Sequence, residues 1–276
     1  FYPVLPRGFA DRWDLLDLRA AWIIVMLIAG IGFVNYILLK MYGPKGVALT
    51  GFLGGIVNST VTVTEMATRD RDSGDALTGV AYAGILLAIV ASILRNAVLL
   101  VLLAPAALVS GMLAFTLMIG AGVVLLVLHY RSVRASEATA QNQPLIPLTS
   151  PFSITSAIKY GLVFLAIQVT GILGQRLLGH AGFYFISIIG GVLSSASTVA
   201  SAALLAAHGT ITPSVAAIGA VLATAVSVLV NVVFATRVSK DPGLKKHLTL
   251  TMSSLAVLGI LGVIVQNAVA SLMTRP

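Results

Sequence analysis

The chain has 276 residues, 58% of them hydrophobic and only 9% charged, with mean hydropathy +1.02 and a formal net charge of +8. A soluble domain carries about 25% charged residues, so a water-soluble globule is excluded and the natural solvent is lipid. There is no Cys, which excludes disulfides, thiolate metal sites and Cys nucleophiles. The basic residues fall between apolar segments, at Lys40, Lys45, Arg131, Arg134, Lys240, Lys245 and Lys246. There they read as headgroup contacts and topology signals, not as a nucleic-acid surface.

Residues 1–19 mix prolines with charges and read as a loop and a short interfacial segment, with Trp13 at headgroup depth. They lack the apolar core and cleavage site of a signal peptide. With no initiator Met, they resemble the interior of a longer chain or a processed end. A membrane span needs about 20 apolar residues. Ala20 to Leu39 supplies the first, ended by Lys40 and the turn Gly43-Pro44-Lys45-Gly46. Val47 to Ala67 is the second, followed by the charged loop Arg69 to Asp75. Ala76 to Leu103 is the third, interrupted by Arg95-Asn96, and Ala107 to Leu128 is the fourth, after a turn at Pro105.

Composition changes over 129–153, a polar linker holding Gln141, Asn142, Gln143, Pro144, Pro147 and Pro151. Four more segments follow: Ala157 to Leu178, Phe183 to Ala207, Ser214 to Thr236 and His247 to Met273. Gly179-His180-Ala181-Gly182 turns the chain after the first of them, and a basic loop around Asp241-Pro242-Gly243 precedes the last. The expected organisation is therefore an N-terminal segment 1–19, a first membrane repeat 20–128, a linker 129–153 and a second membrane repeat 154–276.

The second segment of each half carries the strongest signal. Gly54-Gly55-Ile56-Val57-Asn58-Ser59-Thr60-Val61-Thr62-Val63-Thr64-Glu65 lies in an apolar stretch, yet it holds four hydroxyls, an amide and a carboxylate. Gly190-Gly191-Val192-Leu193-Ser194-Ser195-Ala196-Ser197-Thr198-Val199-Ala200-Ser201 repeats the plan. Gly54 and Gly55 match Gly190 and Gly191, Ser59 matches Ser195, Thr62 matches Thr198, and Asn96 matches Asn231 with one residue of slip. Self-similarity in this order predicts duplication. The expected fold is all-α integral membrane, with about eight transmembrane helices in two four-segment halves. Segment length favours eight crossings; a broken or re-entrant second segment is the alternative, and it would invert the halves. The basic residues divide almost evenly between the two faces and fix no orientation.

Small residues at Gly51-xxx-Gly55 and Ser187-xxx-Gly191 suit close helix packing, and Ser and Thr can bond back to their own helix. Against packing alone, Ser59, Thr60, Thr62 and Thr64 do not share one helical face. An unwound segment would turn those oxygens, and freed backbone groups, toward a cavity. The candidate ion- or substrate-binding residues are Asn58, Ser59, Thr60, Thr62, Ser194, Ser195, Ser197 and Thr198, flanked by Asn96 and Asn231. Arg95 and Glu65 are the candidate gating charges, expected at opposite ends of neighbouring spans. Only one carboxylate, Glu65, lies near the apolar core, and the four His residues fall at span ends without metal spacing. No metal site, cofactor or catalytic set is expected.

The run Val25 to Val34, the turn Gly43 to Gly46 and the stretch Leu49 to Thr62, with Ala157-Ile158-Lys159-Tyr160 and Gly190-Gly191 in the second half, resemble the C-terminal domain of unknown function of MgtC/SapB-type membrane proteins. That resemblance covers nearly the whole chain from about Leu15. It implies a prokaryotic cytoplasmic membrane location and a preceding membrane domain, and it brings no established transport activity. Thr64-Glu65 departs from the family's pattern, which has more alternating Ser/Thr there. Two functions are expected from the residues. One is a channel or secondary transporter for a small ion or solute, with its site between the repeats. The other is a non-transporting subunit that docks on a partner, as a homodimer or in a larger membrane complex. The bilayer is the expected partner in both, nucleic acid in neither, and no enzyme activity is expected.

Overall fold

The computed structural model describes residues 46–73, 78–134 and 154–273, with Trp22 and Met26 as isolated helical positions. The N-terminal segment 1–19, most of the first span 20–39 and linker residues 135–153 lie outside the described residues. Six helices follow one another: α1 (Gly46–Ser73), α2 (Thr78–Leu103), α3 (Pro105–Arg134), α4 (Ile154–Ala207), α5 (Pro213–Val238) and α6 (Pro242–Met273). Five of them, α2 to α6, are long and apolar enough to cross a membrane. An all-helical membrane architecture therefore holds among the described residues, whereas eight crossings do not emerge from it.

Length misled the sequence reading at α1 and α4. Backbone dihedrals leave the helical region at Asn58 (φ −153, ψ 98) and at Ser194 (φ −166, ψ 104). Both are ordinary extended conformations, and each divides its helix into two limbs. An added Cβ on Gly54 would lie 2.6 Å from Thr62 Oγ1, and an added Cβ on Gly190 would meet Thr198 Oγ1 equally closely. Residues eight apart in a straight helix are separated by about 12 Å along the axis. The chain therefore doubles back at both breaks.

Neighbouring helices confirm the reversal. Gly51 abuts Gly84, and Gly55 abuts Ala88. The incoming limb of α1 thus runs parallel to α2, which a helix crossing once before a short loop could not do. In the second half Gly219 abuts Ser187 and Gly191 abuts Ala223, so the limb 180–193 runs parallel to α5. Gly179 makes the earlier reversal in α4, with φ +59, a region open to Gly and strained for other residues. Gly174 then packs on Gly182, backbone to backbone.

The remaining helices form the frame. Helices α3 and α6 pack antiparallel: Gly262 sits on Ala114, Gly259 on Met118, and Gln266 Oε1 accepts from Leu113 N at 2.9 Å while Gln266 Nε2 donates to Val109 O. The helix starts are capped as their sequences dictate. Thr212 Oγ1 accepts from Val215 N ahead of Pro213, and Asp241 accepts from Gly243 N and Leu244 N. Helix α3 runs on to Arg134, past Leu128, where the sequence holds no Gly or Pro to end it.

The hairpins depend on glycine at four positions. Gly54→Ala should lower stability by about 1–3 kcal/mol through overlap with Thr62, and Thr62→Ala in the same chain should relieve that overlap, so that the two changes together cost less than their sum. Gly55→Ala should show no such rescue, because its Cβ would meet the backbone of Ala88. Thermal unfolding in detergent measures both.

Candidate functional site at the hairpin tips

Each break is built by the residue type that caps helices. Asn58 Oδ1 accepts from Val61 N at 3.2 Å, and Ser194 Oγ accepts from Ser197 N at 3.3 Å. Each is thus the N-cap of its outgoing limb. The hydroxyls one turn on then close the hairpin: Thr62 Oγ1 donates to Asn58 O at 3.0 Å, and Thr198 Oγ1 donates to Ser194 O at 2.8 Å. The two tips are made by the same two bonds at the same spacing. Thr64 likewise bonds back to Thr60 O at 2.7 Å. These threonine hydroxyls satisfy backbone rather than facing a cargo.

Other polar groups reach from one half of the chain to the other. Asn231 Nδ2 on α5 donates to Ser59 Oγ at the first tip, at 3.3 Å. Asn96 Nδ2 on α2 donates to Thr224 Oγ1 on α5 at 3.0 Å. Thr224 Oγ1 in turn donates to Ala220 O, which fixes its role as the acceptor from Asn96. Asn96 and Asn231 are both fully buried, and the Oδ1 of each has no hydrogen-bond partner in the protein. Ser59, Ser195, Ser197 and Thr198 are buried; Asn58, Thr60 and Ser194 are half-buried.

Arg95 occupies the gap between the tips. Its Nη1 donates to Ile56 O at 3.0 Å, with Val57 O at 3.5 Å, and its Nη2 is 3.5 Å from Ser195 Oγ. The last carbonyls of a helix carry partial negative charge and lack intrahelical donors. The guanidinium supplies both needs for the incoming limb of α1. Val230 stands at the matching place in the second half, so only one tip has this cation. Arg95 is thus held among backbone groups within the apolar helix Thr78–Leu103, a setting in which charges are costly unless so engaged. Glu65 lies half-buried seven residues beyond Asn58, on the outgoing limb.

Sequence reasoning missed three groups. Thr224 lies two turns before Asn231 on the same face of α5, a spacing that marks it in retrospect. Asp70, assigned to a charged loop, is buried in the last turns of α1 and accepts from Thr78 Oγ1 at 2.9 Å and Ser239 Oγ at 2.7 Å. It ties the outgoing limb to the start of α2 and the end of α5. His129 and His247 line one cavity of about 490 Å³ with Thr78, Tyr82 and Asp241, far along the chain from each other. Among the described residues no group of three or more His, Cys, Asp or Glu is placed to hold a metal ion.

The bond between Asn231 and Ser59 is measurable alone. A double-mutant cycle of Asn231→Ala and Ser59→Ala should return a coupling of about 0.5–1.5 kcal/mol in unfolding free energy. Strict additivity would mean that the contact does not form.

Neither the curated proteins nor the solved structures contain a match to this chain. Residues 26–239 do match a family described as Domain of unknown function (DUF4010), a stretch that includes both hairpins, α2, α3 and α5. With well over half its length matched, the chain belongs to the DUF4010 family.

Proposed function

We propose that the protein is a membrane channel or secondary transporter for a small ion or solute, built from two inverted repeats. In this reading each repeat comprises a first span, a re-entrant hairpin and two further spans, with 20–39 and the limb 154–178 as equivalent first spans. Three crossings per repeat is an odd number, so the halves point in opposite directions. The antiparallel packing of α3 against α6 supports this, because those helices hold equivalent places in the two halves. Interrupted helices at a repeat interface are where membrane carriers hold their cargo.

One observation carries the reading. Two fully buried amides, Asn96 and Asn231, each lend nitrogen to a hydroxyl of the opposite half and leave an oxygen without a protein partner. An unsatisfied buried acceptor costs about 1–3 kcal/mol, and here the cost is met twice, at matching places beside the hairpin tips. A transient polar occupant explains that placement; helix packing alone does not call for it. Ser59, Ser195 and Thr224 complete the lining, Arg95 sets its electrostatics, and the threonines of the tips hold its shape. No catalysis is part of the proposal.

The resemblance to the C-terminal domain of MgtC/SapB-type proteins supports a prokaryotic cytoplasmic membrane setting beside a preceding membrane domain. Self-association through the apolar outer faces is compatible with it.

Reconstitution into proteoliposomes, with a flux screen over small inorganic ions and small polar solutes, tests the proposal. Asn96→Leu and Asn231→Leu keep the branched side-chain shape and remove the amide. Each should cut flux at least about tenfold, the effect of a 1.4 kcal/mol loss. A parent protein that carries nothing, or variants that carry as well as the parent, would leave the docking-subunit reading in its place.

A further inference from the structure

A second polar layer lies inside the second half, away from the tips. Gln168 is fully buried on the first limb of α4, and neither its Oε1 nor its Nε2 has a hydrogen-bond partner in the protein. Ser201, 1% exposed on the last limb, has an unpartnered Oγ. These two residues account for three of the buried side-chain polar atoms without partners among the described residues.

The packing brings them to one level. The Gly190 backbone lies against both Ile167 and Thr198, and Gly171 lies against Leu205. Gln168 falls between Ile167 and Gly171 on the first limb. Ser201 falls between Thr198 and Leu205 on the last. Ser194, Thr198 and Ser201 recur at intervals of four and three, so they follow one side of the last limb from the tip outward. The first half has the same pattern: Asn58, Thr62 and Glu65 recur at the same intervals, and Glu65 stands where Ser201 stands.

We infer that Gln168 and Ser201 form a second binding site that takes water, or a neutral solute of similar size that can both donate and accept hydrogen bonds. The chemistry follows from what is left over. Gln168 Nε2 is a donor, Gln168 Oε1 is an acceptor, and the serine hydroxyl is either. No fixed charge stands among these three atoms. A molecule with both functions satisfies all of them, whereas a bare ion of either sign satisfies only part. The site lies between the hairpin and the first limb of α4, inside one repeat rather than between the two. This inference rests on the transport reading for its role as a waypoint, but the site itself is tested separately.

The chain has no natural Cys, so single cysteines report on single positions. Ser201→Cys is compared with Val199→Cys, a fully buried apolar neighbour, and with exposed His208→Cys. Only a thiolate reacts, and a dry apolar layer suppresses ionisation. With a small methanethiosulfonate reagent, Ser201→Cys should react at least about tenfold faster than Val199→Cys, the change expected from one pKa unit. Adding Gln168→Leu should slow it. Thermal unfolding gives a second measurement. Removing dry, unsatisfied amide atoms would raise the Tm of Gln168→Leu, whereas removing solvated ones should lower it. Equal reactivity at 199 and 201, or a raised Tm for Gln168→Leu, would overturn the site. If Ser201→Cys does not fold, the Tm of Gln168→Leu decides. Loss of flux in the parent with a reactive Ser201→Cys would reject transport and retain the site. Flux with an unreactive Ser201→Cys would do the reverse.

Discussion

A helix interrupted within lipid frees peptide N–H and C=O groups where no water can satisfy them. That constraint governs this fold. At Asn58 and Ser194 the side chain caps the outgoing limb, and a threonine four residues on closes the carbonyl. At the end of the incoming limb of α1, Arg95 takes the carbonyls of Ile56 and Val57. The glycine pairs then follow as a necessity. Two limbs can fold together, and lie against α2 or α5, only where no Cβ intervenes, and Gly54, Gly55, Gly190 and Gly191 are those places.

Much of this was legible in the sequence, for a stated reason. Asn and Ser are N-cap residues, and a glycine pair four residues ahead of them marks close backbone approach. The duplicated stretches therefore raised a break at both places, though only as the alternative to unbroken spans. The crossing count was not legible, because counting about 20 apolar residues cannot separate one long helix from two short antiparallel limbs. Val47 to Ala67 satisfies the count and still turns back at its middle.

The site was half visible. Ser59, Ser195, Asn96 and Asn231 stood out because polar side chains are rare in apolar helices, and all four take part in contacts between the halves or at the tips. Thr62 and Thr198 stood out equally, yet serve the backbone. Composition alone does not reveal which hydroxyl has a carbonyl within reach four residues earlier. Thr224 and Gln168 were overlooked because each is a lone polar residue in an apolar run. Only burial and the tally of partners single them out. Asp70 was misplaced because a charge beside other charges reads as loop, until Ser239, more than 160 residues later, is brought against it.

The difference between Arg95 and Val230 has a thermodynamic consequence. A carrier made of two identical inverted halves would face either side of the membrane with equal energy, by symmetry alone. Here a guanidinium clamps one hairpin tip, and valine stands at the matching sequence position in the other half. If the protein is such a carrier, that equality is lost, and the hairpin lacking the clamp is the cheaper one to displace. In the carrier reading, such a molecule would rest facing one compartment when concentrations are equal on both sides, although net flux would then still be zero.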